Sequence, residues 1–347
     1  GWYPNAFLSK VTLHEQGEQK MKFIIGVDIA KDKFDCLWLK DVIAITAKSK
    51  VLPNNLQGFN ALHDWLEKNI TSEMSDIHII MEATGIYHEP LAYALHEWGV
   101  KVSIVNPAYV RDFAKGMGVR NKTDKKDSMV LARYGVSANP RLWQPEPQAV
   151  RELKALLARL SALELDLQRE LNRMEKAEIS QASPLVIESI DLMVQHYKAE
   201  KLRLETAIDD HFDQHPDLKK DRAILLSVPA IGTVLSREMV ALLRSRQFEY
   251  AGQSAAFVGL VPKQWESGTL KGRTTLCKNG SSRLRAKLYM AAIVATQHNP
   301  DVKAQYHRLL AAGKTKMQAL GAAMRKLVQI CFGVLKHQCE YRSQITS

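Results

Sequence analysis

KFIIGVDIA (22–30) decides the fold class of the N-terminal part of this chain, because it is a run of apolar residues that ends in an acid. Two further stretches with strand-like composition follow it, DCLWL (35–39) and VIAITAK (42–48). Three short strands in succession predict a meander. This arrangement places Asp28 at the end of the first strand.

The residues after the meander alternate between helical and strand-like patterns. They predict a helix at 56–69, a buried strand IHIIM at 77–81, a helix at 90–98, a strand KVSIV at 101–105, and helices at 107–114 and 124–134. Antiparallel strands followed by alternating units that add parallel strands are the order of the ribonuclease H-like fold. Generic α/β domains share much of this order, so the order alone predicts the α/β class.

A helical hairpin is predicted next. Between residues 149 and 176 apolar side chains recur at steps of three and four, which is the pattern of a coiled-coil seam: Leu153, Leu156, Leu160, Leu163, Leu167 and Met174. Pro184 then breaks the helix, and a second amphipathic helix follows at about 186–211. The pattern is equally compatible with a dimerisation element and with a spacer within one chain.

The C-terminal part is predicted to be mostly α-helical. LLSVPAIGTVLSREMVALL (225–243) contains a helix, a Pro/Gly turn and a second helix, which resembles a helix-hairpin-helix. The amides of such a turn can hold a DNA phosphate without reading sequence, although similar turns also serve as packing units. Further helices are predicted near 281–297, 300–312 and 316–335.

Charge is distributed unevenly along the chain. The net charge is +11, and residues 219–347 carry +15, from 21 Lys and Arg against 6 Asp and Glu. A concentrated positive field favours a polyanionic partner, because each neutralised phosphate releases counterions. A solvated basic surface is the alternative. Charge therefore favours, but does not require, a nucleic-acid partner for this half.

Composition bounds the cellular setting. No stretch approaches the roughly 18 apolar residues of a membrane span, and no signal-peptide pattern opens the chain, so we expect a cytoplasmic protein that contacts no membrane. The four cysteines have no zinc-ligand spacing, so we expect neither a disulfide nor a structural zinc. Residues 1–20 show no periodicity and are left outside the predicted fold as an extension of unclear status.

Four acids form the first chemical constellation. Asp28 and Glu82 each end a predicted strand, and Asp124 and Asp127 lie at i and i+3 at the start of a predicted helix, on one face. Four carboxylates brought together repel one another unless a hard cation lies among them, and oxygen-only ligands suit Mg²⁺ or Mn²⁺. Each acid taken alone is more often a helix cap or a solvated residue than a metal ligand. The set in this strand order predicts a metal site that orients a scissile phosphate.

A serine followed by cations forms the second constellation. Ser267 lies in WESGTLKGR (265–273) and is expected in a loop. The cations that follow it are candidates for nucleic-acid binding: Lys271, Arg273, Lys278, Arg283, Arg285 and Lys287. A serine hydroxyl is a weak nucleophile without an activating base or metal, and a serine before glycine is usually a turn residue. The pattern alone therefore leaves both roles open.

The motifs together resemble a known family. They are GVDIAKDKFD, MEATGIY, VNPAYVRDFAKGMGVRNKTDKKDSMVLARY, SVPAIG, FVGLVPKQWESG and AAMRKLVQICFGVL. This set is similar to the DEDD transposases of the insertion sequence 110 type, which include the Piv-like invertases. The resemblance extends from about residue 22 to residue 335.

The resemblance implies a domain organisation and a mechanism. It implies a RuvC-like domain at 21–145, a coiled-coil linker at 146–215 and a transposase domain at 216–347. Asp28, Glu82, Asp124 and Asp127 correspond to the family's acidic tetrad with Mg²⁺, and Ser267 to its nucleophile, which forms a 5′-phosphoserine. Donor and target DNA and a structured bridge RNA are the implied partners, and we expect a homodimer or homotetramer.

Three functions follow from these observations. The first is a transposase or site-specific recombinase that cuts and rejoins DNA of a bacterial insertion sequence. The second is a RuvC-like metal-dependent nuclease or junction resolvase that uses activated water. The third is a non-catalytic nucleic-acid-binding scaffold. Only the first leaves protein covalently attached to DNA, so a denaturing gel discriminates among them.

Overall fold

A computed structural model describes residues 23–71, 73–83, 85–117, 126–260, 262–267, 270–276 and 282–345, with the backbone alone for 262–267 and 270–276. The chain divides into two compact units, Gly1–Pro145 and Glu146–Ser347. The further division of the second unit into a linker and a transposase domain stays a prediction.

The first unit is built on a five-stranded mixed sheet. Its strands are β1 (Phe23–Ile29), β2 (Lys33–Asp41), β3 (Thr46–Pro53), β4 (Ile77–Glu82) and β5 (Lys101–Val105), in the order β3-β2-β1-β4-β5. The pairs β1–β2 and β2–β3 are antiparallel, whereas β1–β4 and β4–β5 are parallel. The predicted α/β class is confirmed, and the sheet is consistent with a RuvC-like domain.

Helices cover both faces of this sheet. They are α1 (Leu56–Asn69), α2 (Glu89–Glu97), α3 (Pro107–Gly116) and α4 (Asp127–Ala138). The alternation of side chains along β4 explains the two layers. Ile79 belongs to one core cluster with Leu62 and Leu91, whereas Ile80 belongs to another with Leu131. The predicted buried strand is therefore buried on both faces, as a central strand must be.

The third strand differs from its prediction at 42–48. The carboxylate of Asp41 accepts hydrogen bonds from the backbone amides of Ile43 and Ala44, each at 2.8 Å, and this turn delays β3 until Thr46. Ile43 is 94% exposed. The apolar residues VIAI (42–45) have the composition of a strand, but the hydrogen bonds to the Asp41 carboxylate hold them in a turn.

Two glycines let α4 pack directly on the sheet. A Cβ on Gly26 of β1 would lie 1.8 Å from the backbone oxygen of Ser128 in α4. A Cβ on Gly135 of α4 would lie 2.4 Å from Cγ1 of Ile80 in β4. Neither position has room for a side chain, so α4 approaches the sheet more closely than an ordinary helix can.

The second unit is mostly helical, as predicted. Its elements are α5 (Gln148–Ile179), α6 (Pro184–Gln214), α7 (Pro216–Leu226), α8 (Thr233–Ser245), α9 (Ala251–Phe257), β6 (Pro262–Ser267), β7 (Leu270–Leu276), α10 (Ser282–His298), α11 (Pro300–Ala311) and α12 (Lys316–His337). The start of α12 is fixed by a capping box, which the Thr315 hydroxyl and the Gln318 side chain form. Among the described residues no helix is both long enough and apolar enough to cross a membrane.

The two long helices α5 and α6 follow each other through a short turn and pack together. Leu153, Leu160 and Leu163 of the predicted seam are buried, and their core cluster also contains Leu204 and Ile208 of α6. This cluster continues into the C-terminal helices, so one end of the hairpin is anchored in the core of the unit. Whether the hairpin acts as a coiled coil stays a prediction.

The predicted helix, turn and helix around 225–243 correspond to α7 and α8. The turn between them places Ala230 at φ +83°, a left-handed conformation that favours glycine. The side-chain amide of Asn299 donates to the backbone oxygen of Pro229 at 3.2 Å and supports this turn. Binding of a DNA phosphate by the turn stays a prediction.

The segment around Ser267 differs from its prediction as a loop. Strands β6 and β7 form a two-stranded antiparallel hairpin, in which Ser267 is the last residue of β6 and pairs with Leu270. The register shifts between Trp265 and Ser267, as at a β-bulge. The segment lacks the alternation of apolar and polar residues that predicts a strand. A two-stranded ribbon need not bury either face, so its sequence can be polar throughout.

Candidate active site

The antiparallel hairpin of β1 and β2 brings two acids together, Asp28 of the predicted set and Asp35. Asp28 lies near the C-terminal end of β1, and the register pairs it directly with Asp35 of β2. The tight turn at 30–33 is closed by a backbone hydrogen bond from Ala30 to Lys33 at 2.9 Å. Directly opposed residues on an antiparallel pair have neighbouring side chains, so two carboxylates meet at this edge.

The next strand and a helix add two more acids. Glu82 ends β4, which runs parallel to β1, and the pairing of Val27 with Met81 puts Glu82 level with Asp28. Asp127 is the first residue of α4, the helix that packs over Gly26. Three of the four predicted acids therefore lie at one edge of the sheet.

The negative charges at this edge shift the pKa values of two of the acids. Burial raises the pKa of Asp28, and the negative charges of Asp127 and Asp35 raise it further. Burial likewise raises the pKa of Glu82, with additional contributions from Asp127 and Asp28, while Arg111 opposes the shift. A cation bound at this edge would offset the repulsion among these carboxylates.

The donor set fits a hard divalent cation. Asp28, Glu82 and Asp127 offer carboxylate oxygens alone, which are the ligands that Mg²⁺ and Mn²⁺ prefer. The Oδ1 atom of Asp35 is buried and finds no hydrogen-bond partner among the described residues, while its Oδ2 accepts from the Ser128 hydroxyl at 3.3 Å. Two other groups of side chains in the described residues have ligand atoms that all lie within 4.8 Å of one another. The carboxylate oxygens of these acids are more widely spaced than that.

Asp124, the fourth predicted acid, lies outside the described residues. The prediction that Asp124 and Asp127 share one face of a helix is wrong, because α4 begins at Asp127 and Lys126 before it is extended. Membership of Asp124 in the site therefore stays a prediction that rests on the family resemblance.

Asp35 was missed by the sequence analysis. It lies seven residues after Asp28 in the segment DIAKDKFD, and the short turn between two predicted strands was the available signal. Once those strands pair as a tight hairpin, residues equidistant from the turn face each other, and this rule would have identified Asp35.

The serine and its cations belong to the second unit. Ser267 ends β6, and Lys271 and Arg273 lie in β7 on the other strand of the same hairpin. Lys278 lies outside the described residues. The backbone thus places the serine at the end of a ribbon that also carries two of the predicted cations.

Two of the remaining predicted cations have an acidic partner. On α10, Lys287 Nζ lies 3.0 Å and Arg283 Nη2 lies 3.6 Å from Oε1 of Glu238, which belongs to α8. Arg285 lies on the same helix. Because the sequence around these residues contains no acid, the partial neutralisation was not predicted. A phosphate bound by Arg283 or Lys287 must compete with Glu238.

Gly26→Ala should reduce DNA cleavage by about 100-fold or more, because displacing α4 by about an ångström moves Asp127 away from Asp28. The added Cβ would meet the Ser128 backbone oxygen, which cannot move without the whole helix. Cleavage rate and thermal midpoint are measured together. Gly116→Ala is the matched control, since no atom of the described residues lies within 4 Å of its Cβ position. Wild-type cleavage by the Gly26 variant would contradict this account of the site.

Comparison with known proteins identifies the family. Residues 25–177 match a DEDD-type family described as "Transposase", and residues 222–307 match "Transposase IS116/IS110/IS902 family". The chain is 34% identical to the pilin gene-inverting protein of Moraxella bovis, over 93% of this chain and 99% of that protein. It is 22% identical to the transposase for insertion sequence element IS1111A of Coxiella burnetii, over 96% and 95% of the two chains. The chain therefore belongs to the insertion sequence 110 type of DEDD transposases and is a DNA transposase or recombinase.

Proposed function

We propose that this protein cuts and rejoins DNA through a 5′-phosphoserine at Ser267, supported by a Mg²⁺-binding acidic site and guided by a structured bridge RNA. The observation that carries the proposal is the convergence of Asp28, Glu82 and Asp127 at one sheet edge, where burial and the neighbouring negative charges raise the pKa values of Asp28 and Glu82. Such a cluster is costly unless it serves a function.

The acids have two roles in this proposal. Asp28, Glu82 and Asp127, with Asp124 as the predicted fourth, would hold Mg²⁺, which when bound supplies positive charge beside the scissile phosphate. Asp35 fixes the local geometry, because its carboxylate accepts from the Ser128 hydroxyl and so joins β2 to the first turn of α4. This hydrogen bond ties the start of α4, which carries Asp127, to β2.

The serine step conserves phosphoester bonds. The hydroxyl oxygen of Ser267 attacks the scissile phosphorus, the bond from phosphorus to the 3′ oxygen breaks, and the hydroxyl proton passes to the leaving 3′ oxygen. One phosphodiester is exchanged for another, and a free 3′-hydroxyl remains. Attack of a partner strand's 3′-hydroxyl on the phosphoserine reverses the step and releases the serine.

Rejoining favours this mechanism over hydrolysis. Water would leave breaks that need another energy source to reseal, whereas a covalent intermediate retains the energy of the broken bond. The Moraxella bovis relative is named as a pilin gene-inverting protein. Inversion requires that every cut end be rejoined, which supports a recombinase over a nuclease or resolvase for this chain as well.

The bridge RNA is carried over from the family resemblance. The net charge of +15 in residues 219–347 supports a polyanionic partner for the second unit. Sequencing of RNA that copurifies with the protein tests this part separately. A reproducible structured RNA supports it, and protein that recombines DNA after complete RNA removal would overturn it.

We also propose a homodimer or homotetramer. Apolar side chains are exposed along the described hairpin helices: Leu165, Leu171, Leu185, Leu192 and Leu202. Burying such residues against a second copy would remove apolar surface from water. The exposed leucines therefore support association of two or more chains, and we propose that in this assembly the acids of one subunit serve the serine of another.

Mixing Asp124→Ala protein with Ser267→Ala protein should recover recombination if active sites are shared between subunits. Each variant alone should be inactive, because each lacks one half of the site. Recombination is measured for each protein and for the mixture. Sites built within one chain predict instead that two inactive proteins never complement each other.

A denaturing gel of protein incubated with labelled DNA tests the proposed function. A recombinase of this kind shifts the labelled strand to the mobility of a protein adduct. Cut DNA without an adduct would favour the metal-dependent nuclease. Neither cutting nor attachment, with binding retained, would favour the scaffold.

A further inference from the structure

A cluster of one glutamate and two histidines lies at the base of the helical hairpin, far along the chain from both constellations described above. One ligand atom from each of Glu152, His211 and His215 lies within 4.8 Å of the other two. Glu152 belongs to α5, His211 to the last turn of α6, and His215 joins α6 to α7. The cluster therefore unites three helices of the second unit.

The hydrogen bonds of the two histidines leave one ring nitrogen of each available. The Nε2 atom of His211 lies 2.7 Å from the backbone oxygen of Ala149, and Nδ1 of His215 lies 2.7 Å from the backbone oxygen of His211. A carbonyl oxygen only accepts, so these nitrogens carry the protons. Nδ1 of His211 and Nε2 of His215 then carry lone pairs. In metal-bound histidines, the ring nitrogen that does not bind the metal commonly donates a hydrogen bond to a carbonyl oxygen in the same way.

The spacing of the glutamate fits a shared metal better than a hydrogen bond. Nδ1 of His211 and Oε2 of Glu152 are 3.7 Å apart, too far for a hydrogen bond. Two ligands on a tetrahedral zinc ion, with bonds of about 2.0–2.1 Å, are about 3.3 Å apart. Small rotations of the exposed Glu152 side chain span the difference, while His211 is only 7% exposed and stays fixed.

We propose that Glu152, His211 and His215 form a zinc site that clamps α5 to the junction of α6 and α7. Two imidazoles and one carboxylate match zinc better than magnesium, which prefers oxygen ligands. His215 also lines a cavity of about 530 Å³, from which water can supply the fourth ligand. The nearby cation Arg244 is held by both carboxylate oxygens of Asp221, at 2.6 and 2.8 Å, so its charge is offset.

Zinc bound at this site would stabilise the folded form of the second unit. Leu153 of α5 and Phe212 of α6, which flank the cluster in sequence, are fully buried in its core. Zinc bound by the folded form alone stabilises that form by mass action. The site would therefore fix the end of the hairpin that is anchored in the core, and it needs no role in DNA chemistry.

Zinc binding and thermal unfolding test the proposal on full-length protein without a polyhistidine tag. Wild-type protein dialysed against zinc should retain one more zinc per chain than Glu152→Gln or His215→Gln protein, and only wild type should gain thermal stability from the ion. Co²⁺ in the site should give the strong visible absorption of tetrahedral nitrogen and oxygen ligation. Glu152 lies in the second turn of α5 and His215 caps the end of α6, and both side chains are partly or fully exposed, so folding should survive.

Two controls separate this site from others. His63→Gln alters a second group, formed with Asp64 and Glu67 on α1, whose members are half-exposed or exposed. Asp28→Asn alters the acidic site. Both should keep the extra zinc, the thermal shift and the Co²⁺ absorption. Equal zinc content and equal thermal shift in wild type, Glu152→Gln and His215→Gln would overturn the proposal, as would the absence of zinc from wild type.

Discussion

Asp28→Asn and Asp127→Asn should each abolish DNA strand cleavage while leaving RNA binding largely intact. The loss should be at least about 10³-fold, since a bound metal contributes several kcal/mol to the transition state. Each substitution keeps the shape of the side chain and removes a charge that raises the pKa of a neighbouring acid, Glu82 in both cases. Cleavage of labelled DNA and RNA binding are measured on the same preparations.

Asp32→Asn is the matched control for these two variants. It makes the same chemical change four residues from Asp28, at an exposed position that is not among the groups shifting the pKa of Asp28. Cleavage by this variant should equal that of wild type. Normal cleavage in excess chelator, or cleavage that survives both Asp28→Asn and Asp127→Asn, would show that the acidic cluster is not the metal site.

Ser267→Ala should eliminate both the protein–DNA adduct and recombination, with binding of DNA and RNA retained. Alanine has no atom that can attack phosphorus, whereas the backbone of the β6–β7 hairpin can accept it without change. Ser267→Cys should show slow attachment, because a thiolate attacks phosphorus less well than an alkoxide. Adduct is followed on a denaturing gel, and recombination by joining of the two labelled ends.

The control for Ser267 is Ser282→Ala. Ser282 begins α10 and is exposed, so its loss leaves the hairpin untouched. This variant should form the adduct at the wild-type rate. Recombination by Ser267→Ala protein would remove Ser267 from the role of nucleophile, whatever the behaviour of the acids.

Local sequence patterns predicted most of the first unit because its chemistry lies at strand and helix ends. The buried strand IHIIM and the apolar run before Asp28 are continuous in sequence, and parallel strands end at one sheet edge, so Asp28 and Glu82 could be placed together. The third strand was predicted too early in the chain, because the Asp41 carboxylate accepts hydrogen bonds from the amides of Ile43 and Ala44 and forms a turn there. An apolar run carries no information about such a turn.

Features made by distant residues could not be predicted in the same way. Glu238 reaches Lys287 from a helix about 50 residues earlier in the chain, and Glu152 meets His211 across the helical hairpin. Their spacing matches no local motif, because tertiary packing alone sets it. The prediction of no structural zinc rests on cysteine spacing alone, so it does not address the site that we propose from two histidines and a distant glutamate.

Peptide mapping of the trapped protein–DNA complex tests the central claim most directly. The complex is formed with Mg²⁺ on DNA, denatured and digested with protease and nuclease, and the peptide that carries the residual nucleotide is sequenced by mass spectrometry. The account predicts a single modified peptide containing WESGTLK, with the phosphate on Ser267 and bonded to the 5′ side of the nucleotide. A nucleotide on any other residue, or cut DNA with no modified peptide, would contradict it.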